Sequence, residues 1–297
     1  MISFKQLSYA LAAAETLHFK KASEKCNISQ SALSTALNEL EKQLGLKIFE
    51  RNNKQVLITP AGKKILHQAR QILLQVDELK HFVETHKKPL SFPLSIGIIP
   101  TIAPFLLPKL LPVLKQDYSK AQLNIEENQS QVLVEMVRNG ELDTAIIALP
   151  FPTTGLLTLK FWQEDFYWIT LKGNKFSQQK QINSQEIKQC NLLLLKEGHC
   201  LKDHIISVCN MLEKTPKQEF CATSINTLIQ MVSGDLGSTL VPEMAVEQLT
   251  AQHKSLSVIH LDEPGPHREL VFIFRPNFTR TSSIQALVEV CKKALTP

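Results

Sequence analysis

The first third of the chain repeats its apolar side chains with the period of amphipathic helices. One helix is predicted from Phe4 to about Leu17, and a second, shorter one from Phe19 to about Cys26. Ser29 is a good N-cap and Gly45 fits the left-handed residue that ends a helix, so a third helix is predicted between them. Its inner stripe consists of Leu33, Ala36, Leu37, Leu40 and Leu44.

Two short strands and a long helix are predicted after Gly45. Leu46–Phe49 and Gln55–Ile58 have strand character and flank a polar turn, which would form a wing. Thr59-Pro60 then supplies a cap and a first-turn proline for a long helix. Its apolar seam consists of Ile65, Ala69, Ile72, Val76, Leu79 and Val83. Such a seam is typical of a coiled coil, so we expect this helix to pair with its copy in a dimer; packing within one chain would give the same pattern.

Beyond a hinge at residues 87–93, strand-like runs alternate with helical ones, which predicts an α/β fold. The predicted strands are Leu94–Ile99, Thr144–Leu149, Phe166–Leu171, Leu192–Leu195, Ser238–Val241 and Leu270–Phe274. No glycine-rich phosphate loop occurs among the 10 glycines, so we expect no nucleotide cofactor.

Length and charge also indicate two parts of the chain, divided near residue 89. Its 297 residues exceed one ordinary core, which predicts two or three compact units. Residues 1–89 hold 14 Lys and Arg against 8 Asp and Glu, a net charge of +6. Residues 90–297 hold 19 against 20, a net charge of −1. A basic domain joined to a nearly neutral one predicts a nucleic-acid reader attached to a sensor or a reactive domain.

We expect a cytoplasmic protein that contacts no membrane. The longest apolar stretch, Leu94 to Leu111, is interrupted by prolines and is too short for a spanning helix. The first residues also lack the sections of a signal peptide. In the cytosol most of the six cysteines should be reduced, and we expect Cys26, Cys190, Cys221 and Cys291 to be ordinary core residues.

A tight turn between the second and third helices predicts a helix-turn-helix. The polar side chains on the outer face of the third helix suit base edges in the major groove, and the nearby cations suit phosphates. The predicted DNA-binding residues are Lys20, Lys21, Ser29, Gln30, Ser31, Ser34, Thr35, Asn38, Arg51 and Lys54. A three-helix packing unit whose polar face meets only water is the alternative, and the basic charge favours DNA.

The segment from Gly198 to Cys209 carries the candidate chemistry. Cys200 lies beside His199 and close to Lys202, and such an electropositive setting is expected to lower the pKa of a thiol. Apolar spacing predicts a helix from Lys202 to about Leu212. At about 1.5 Å per residue, Cys200 and Cys209 would then lie roughly 13 Å apart, whereas a disulfide needs Cα atoms within about 7 Å. A bond between them would require this helix to unfold, which makes the segment a candidate switch.

The first 62 residues resemble the winged-helix domain of LysR-type transcriptional regulators. The resemblance is carried by Phe19-x-x-Ala22, by residues 29–34, by Leu40-Glu41-x-x-Leu44-Gly45 and by Thr59-Pro60-Ala61-Gly62; it continues at residues 96–97, 142–146, 232–237 and 240–242. It implies a winged helix-turn-helix over 1–58, a linker and dimerisation helix over 59–93, and a regulatory domain over 94–297. That domain would hold two Rossmann-like subdomains, as in periplasmic binding proteins, one of residues 94–166 and 268–297 and the other of residues 167–267.

Within that family, residues 198–203 with Cys209, together with residues 99–101 and 106–108, look like the hydrogen-peroxide sensors. This resemblance implies that Cys200 reacts with peroxide and Cys209 resolves the product as a disulfide. The residues it places around the peroxide are Thr101, Ser130, His199, Lys202 and Arg268. Lys202 and Ser130 stand where the family pattern has arginine and threonine. The resemblance also implies a homotetramer that binds promoter DNA, engages RNA polymerase and regulates oxidative-stress genes, without enzymatic activity, metal or cofactor.

Three alternatives remain open from the sequence. A LysR-type relative could sense a small organic effector between its subdomains, with both cysteines structural. A thiol peroxidase or a metal site could use His199, Cys200, His204 and Cys209, although zinc ligands are usually spaced more closely. Cys190 or Cys221 could also compete with Cys209 as the resolving thiol.

Overall fold

The chain folds into two compact units, residues 1–87 and 88–297. The structure, a computed structural model, describes residues 1–51, 56–82, 89–210 and 222–296, of which residues 51 and 79–82 by backbone only.

Three helices with a shared apolar core begin the first unit. They are α1 (Phe4–Thr16), α2 (Phe19–Lys25) and α3 (Gln30–Leu44). The Ser29 hydroxyl caps α3 by accepting the Ala32 N–H at 3.2 Å, and Gly45 ends it in the left-handed region at φ 67°. The fully buried leucines of α3 are Leu33, Leu37 and Leu40. All three predicted helices are confirmed, with ends close to those expected.

A two-stranded wing and a long helix complete this unit. Its elements are β1 (Phe49–Arg51), the antiparallel β2 (Val56–Ile58) and α4 (Pro60–Phe82). The first strand starts at Phe49, later than predicted, and the Ile48 N–H just before it donates to the buried Glu41 carboxylate at 2.9 Å. Thr59 caps α4 as predicted, since its hydroxyl accepts the Gly62 N–H at 2.8 Å. The turn of the wing, with Lys54, lies outside the described residues.

Glu41 fastens the base of the wing to α3. Its carboxylate is 3% exposed and accepts the N–H groups of Ile48 and Phe49 at 2.9 and 3.0 Å and the Lys47 ammonium at 2.8 Å. Burial alone would raise the pKa of Glu41, but these hydrogen bonds outweigh burial and hold the pKa below its ordinary value. The ionised carboxylate therefore stabilises the folded unit.

We expect Glu41→Gln to destabilise the chain at neutral pH by about 1–3 kcal/mol, the cost of losing charged hydrogen bonds in a buried position. Because the folded-state pKa is lowered, this stabilisation is complete above the unfolded-state pKa and disappears as pH falls through the folded-state pKa. Urea unfolding at a series of acidic pH values should show the two proteins converging in stability. Glu39→Gln, at an exposed position of α3, is the matched control and should follow the original protein. A constant stability difference across the acidic range would contradict the assignment.

The second unit contains two β-sheets. Its strands are β3 (Leu94–Ile98), β4 (Leu123–Glu127), β5 (Thr144–Leu149), β6 (Leu157–Glu164), β7 (Phe166–Leu171), β8 (Gln181–Ile182), β9 (Thr239–Pro242), β10 (Leu256–Leu261) and β11 (Arg268–Phe274). Five form a sheet in the order β4-β3-β5-β11-β6, and four form a sheet in the order β8-β10-β7-β9. The first three strands of the larger sheet are parallel, while β11 runs antiparallel to both of its neighbours.

Helices alternate with these strands, which confirms the predicted α/β class. They are α5 (Ala103–Asp117), α6 (Ser130–Arg138), α7 (Ser184–Ile187), α8 (Cys200–Val208), α9 (Ile225–Ser233), α10 (Glu243–Thr250) and α11 (Thr281–Leu295). The chain passes from the larger to the smaller sheet at Asp165, between β6 and β7, and returns between β10 and β11. Within the described ranges, no helix is both long enough and apolar enough to cross a membrane.

The predicted strand Leu192–Leu195 is wrong. All four of its side chains are buried, so the apolar pattern reports burial correctly. The backbone, however, makes only isolated bridges, from Leu192 to Ser238 and from Leu195 to Ala222. A short buried run with one bridge at each end has too little pairing to form a strand. This segment leads directly into the loop before α8.

Candidate functional site

Cys200 is the first residue of α8 and is only 4% exposed. The helix starts two residues earlier than predicted and ends at Val208, while Leu212 lies outside the described residues. Gly198, at φ 94°, precedes it, and a Cβ there would lie 2.5 Å from the Gln129 side chain, so this turn requires glycine. The turn therefore packs against the residue that precedes α6.

The predicted lowering of the Cys200 pKa is wrong. Burial raises the pKa of this thiol, and the Asp203 carboxylate adds to the increase. The Ser130 hydroxyl and the Arg268 charge oppose it without overcoming it. The resting thiol is therefore mainly protonated at neutral pH, because removal from water disfavours the thiolate.

The two residues expected to supply positive charge do not do so. His199 is buried, which lowers its pKa, so the imidazole is neutral at neutral pH. Lys202 has a mostly buried side chain and its nearest carboxylate is that of Glu197, at 3.7 Å. The cation that acts on Cys200 is Arg268, which is distant in sequence.

Ser130 and Thr101 lie where parallel strands of the larger sheet end. Ser130 begins α6 after β4, and Thr101 follows β3; they are 1% and 2% exposed. Among the described residues the Ser130 hydroxyl oxygen has no hydrogen-bond partner of normal geometry, although its proximity to Cys200 favours the thiolate. A buried hydroxyl without a partner is suited to bind a small polar molecule beside the thiol.

Arg268 is held by a buried ion pair. Its Nε and Nη2 lie 2.8 and 2.7 Å from Oε1 of Glu164, and neither side chain is exposed. Nη1 and Nη2 donate to the hydroxyl and carbonyl oxygens of Thr101, each at 3.3 Å. Three of these contacts are hydrogen bonds, from Nε to Glu164 and from Nη1 and Nη2 to Thr101, and the contact of Nη2 with Glu164 is an ion pair. The guanidinium is therefore fixed in position beside Thr101 at the candidate site.

Cys209 lies at the opposite end of α8, where it caps the helix C-terminus. It is fully buried, and burial together with the Glu263 charge raises its pKa to about 12. Nine residues of helix separate the two thiols by roughly 13 Å, too far for a disulfide. Both are free thiols in the structure.

Sequence reasoning missed Glu164 at this site, and it considered His204 only as part of an alternative metal or peroxidase site. His204, one turn after Cys200, is 2% exposed; its Nε2 lies 3.0 Å from the carbonyl oxygen of Pro150, which ties α8 to the loop after β5. Glu164 gave no sequence signal, because a single carboxylate at the end of a strand is not distinctive. No sequence signal indicated the contact between His204 and Pro150, because the two residues are distant in the chain. No group of three His, Cys, Asp or Glu side chains within the described residues is arranged to hold a metal ion.

The predicted DNA-binding residues of the first unit lie mainly on its surface. Gln30, Ser31, Thr35 and Asn38 are exposed along α3, and Ser34 is half-buried. Lys20 and Lys21 are exposed on α2. The Ser29 hydroxyl already caps α3, which limits its availability to DNA. Arg51 lies in β1, described by backbone only, and Lys54 lies outside the described residues.

The predicted seam of α4 divides into two parts. Ala69 is 2% exposed and packs in the unit's own core, with Ile65 beside it. Ile72 is 42% exposed and Val76 is half-buried, so these two apolar side chains remain available to a second copy. The side chain of Leu79 and all of Val83 are outside the described residues.

Two family models together match most of the chain. Residues 4–63 match the bacterial regulatory helix-turn-helix protein, lysR family, and residues 88–296 match the LysR substrate binding domain. The chain belongs to the LysR family of transcriptional regulators. Members of this family bind DNA through the helix-turn-helix domain, so the DNA-binding interpretation of α2 and α3 is favoured over a simple packing unit.

Relatives within the LysR family include peroxide regulators. The transcriptional regulator EstR of Acinetobacter baylyi is 35% identical over 98% of this chain and 96% of its own. The dual regulator OxyR of Escherichia coli is 31% identical over 98% of this chain and 95% of its own. A cysteine-to-aspartate variant of full-length OxyR from Pseudomonas aeruginosa is 32% identical, has a TM-score of 0.82, and covers 98% of this chain and 95% of its own. An H2O2-bound OxyR variant from Corynebacterium glutamicum is 29% identical, with a TM-score of 0.66 over 99% of this chain and 92% of its own.

Proposed function

We propose that this LysR-family regulator senses hydrogen peroxide through Cys200, with Cys209 as the resolving thiol. The observation that carries the proposal is the placement of two buried thiols at the two ends of one helix, the first of them beside the buried Ser130 hydroxyl. Among the described residues, Ser130 Oγ has no hydrogen-bond partner of normal geometry, and the Arg268 charge acts on the same thiol. Peroxide is small, and it can both donate and accept hydrogen bonds. The similar OxyR variant from Corynebacterium glutamicum binds H2O2, which supports the same function here.

The first step is oxidation of Cys200 to a sulfenic acid. The thiolate sulfur attacks one peroxide oxygen, an S–O bond forms, and the O–O bond breaks. The departing oxygen leaves with the thiol proton as water, so the thiol is oxidised and the peroxide is reduced. Ser130, Thr101 and Arg268 would donate to the two oxygens, with His199 and Lys202 at the rim of the site.

The second step joins Cys200 to Cys209. While α8 is intact, the Cys209 thiol is too deeply buried to ionise, since its pKa is about 12. Unfolding α8 would expose this thiol, return its pKa to the ordinary range and let its thiolate attack the sulfenic sulfur with loss of water. The resolving thiol is thus inactive until the helix opens, and the free energy of oxidation is coupled to refolding of the segment.

This refolding would transmit the signal to DNA. We assign residues 1–58 to DNA binding, residues 59–93 to dimerisation and linkage, and residues 94–297 to redox sensing. In a homotetramer, a change in the regulatory domains would alter the spacing of the DNA-binding pairs and the recruitment of RNA polymerase at promoters of oxidative-stress genes. Free thiols that persist until peroxide arrives fit a reducing cytoplasm.

Peptide mapping tests the two thiols directly. Stoichiometric peroxide added to the reduced full-length protein is expected to give a Cys200–Cys209 disulfide, whereas Cys209→Ser should stop at a sulfenic acid that dimedone traps on Cys200. Cys190→Ser, at a half-buried thiol of the same unit, is the matched control and should leave the linkage unchanged. A linkage that joins Cys200 to Cys190 or Cys221 would reject Cys209 as the resolving thiol. Oxidation that bypasses Cys200 would reject the whole proposal.

A small organic effector is the second candidate, and an open apolar pocket favours it. The pocket has a volume of about 770 Å³ and is lined by Leu149, Pro150, Phe151, Pro266, His267 and Arg268 among others. Regulation by an effector alone predicts DNA binding that is indifferent to peroxide and thiols that stay reduced in the mapping experiment. The peroxide proposal predicts the opposite result for both measurements.

A further inference from the structure

Glu164 occupies a fixed position between the sensing site and the smaller sheet. It is the last residue of β6, and its carboxylate is completely buried. Oε1 accepts the Nε–H of Arg268 and lies 2.7 Å from its Nη2, while Oε2 accepts the Met244 N–H at 2.8 Å, in the first turn of α10. The carboxylate is therefore held from both sides, and it in turn fixes the guanidinium that acts on Cys200.

The Glu164–Arg268 ion pair determines how strongly the guanidinium charge stabilises the Cys200 thiolate. Arg268 favours the thiolate, yet its charge is largely neutralised by a carboxylate less than 3 Å away. A buried cation that loses its counterion is strongly destabilised. Its charge then favours the ionised form of any acidic group nearby. His199 and His204 cannot supply a negative charge, and Asp203 is exposed to solvent. Cys200 is the remaining acidic group that acts with Arg268 in the buried part of the site.

We propose that Glu164 restrains the sensor. By pairing with Arg268, its carboxylate partly neutralises the guanidinium charge that acts on Cys200, and this limits how readily the thiol reacts. Glu164 is a positioning residue, since it acts through Arg268 and does not touch the sulfur. The inference rests on the proposed function of Cys200. It predicts that removing the carboxylate charge makes the thiol more reactive, whereas a purely structural role would make it less reactive or leave it unchanged.

The pH profile of Cys200 alkylation by iodoacetamide tests this restraint in the reduced full-length protein. Peptide mapping assigns the modification to Cys200 alone. Glu164→Gln is expected to move the midpoint of the profile down by about one pH unit, which raises the rate roughly tenfold at a pH below both midpoints. An unchanged or higher midpoint would overturn the proposal. Glu269→Gln is the matched control, because this carboxylate follows Arg268 directly but is partly exposed and pairs with Lys160; its midpoint should not move.

Two further variants keep the test decisive. If Glu164→Gln does not fold, Glu164→Asp replaces it, since moving the charge back by one methylene should shift the midpoint in the same direction by a smaller amount. Adding Arg268→Met to Glu164→Gln should abolish the shift, because the effect runs through Arg268. A shift that persists in the double variant would exclude Arg268 as the intermediary and overturn the proposal.

A parallel measurement with peroxide separates this inference from the proposed function. Alkylation requires no peroxide, so it reports the restraint on Cys200 even if peroxide is not the signal. Glu164→Gln should accelerate oxidation of Cys200 by peroxide by the same factor as alkylation. If Glu164→Gln lowers the alkylation midpoint as expected, but peroxide does not oxidise Cys200 in the original protein, only the peroxide function is rejected. Normal oxidation with no shift in any Glu164 variant would reject the restraint alone.

Discussion

Replacing Cys200 by serine is expected to make DNA binding by this regulator indifferent to hydrogen peroxide. Serine keeps the size and hydrogen-bonding capacity of the side chain, but its hydroxyl is not oxidised, so neither the sulfenic acid nor the disulfide can form. α8 should therefore stay folded with Cys209 buried. DNase footprints of promoter DNA should be identical for Cys200→Ser with and without peroxide, whereas those of the original protein should differ.

Two matched variants define what this result means. Cys190→Ser removes a half-buried thiol of the same unit and should leave the change in footprint intact. Cys209→Ser should still be oxidised at Cys200 but should lose most of the change, because the refolded segment needs the disulfide to persist. A footprint that changes with peroxide in Cys200→Ser would show that another group detects the signal, and one that never changes in the original protein would favour the effector alternative.

The first unit could be predicted from sequence because its signals are local. The Ser29 cap and the Gly45 stop act within one turn of the helix they delimit, and the leucines of α3 lie on the face that the period predicts. The start of the wing could not be predicted. It depends on hydrogen bonds from Ile48 and Phe49 to Glu41, a buried carboxylate on the preceding helix that sequence pattern assigns to solvent.

The sensing thiol was found from sequence, and the family resemblance placed Arg268 near it, but the residue pattern alone gave the wrong electrostatics. His199 and Lys202 are neighbours in the chain, and neighbours are the only charges that a sequence reveals. The charge that acts on Cys200 comes from Arg268 on β11, and its counterion Glu164 ends β6. Burial, the largest influence on the thiol, depends on the packing of the whole unit. Long-range pairing and desolvation are therefore the two quantities that had to come from the structure.

The helix between the thiols was also placed only in part. Its apolar spacing gave the correct secondary structure, since Leu201 and Ile205 are buried on one face. Its start was wrong because Cys200 is already helical, following the glycine turn at residue 198. This difference strengthens the proposed mechanism: both cysteines belong to the ends of the same helix, so a bond between them must disrupt that helix along its whole length.

Arg268→Met is expected to destabilise the chain by about 3–5 kcal/mol, because it leaves the fully buried Glu164 carboxylate without its partner. The double variant Glu164→Gln/Arg268→Met should regain most of this stability, since a neutral pair of similar volume needs no counterion. Both variants should oxidise Cys200 more slowly than the original protein, because both lack the cation that favours the Cys200 thiolate. Urea unfolding measures the change in stability, and peroxide titration with peptide mapping measures the oxidation of Cys200.

A double variant as unstable as the single one would show that Arg268 matters for packing more than for charge. Full peroxide reactivity in the double variant would remove Arg268 from the sensing chemistry.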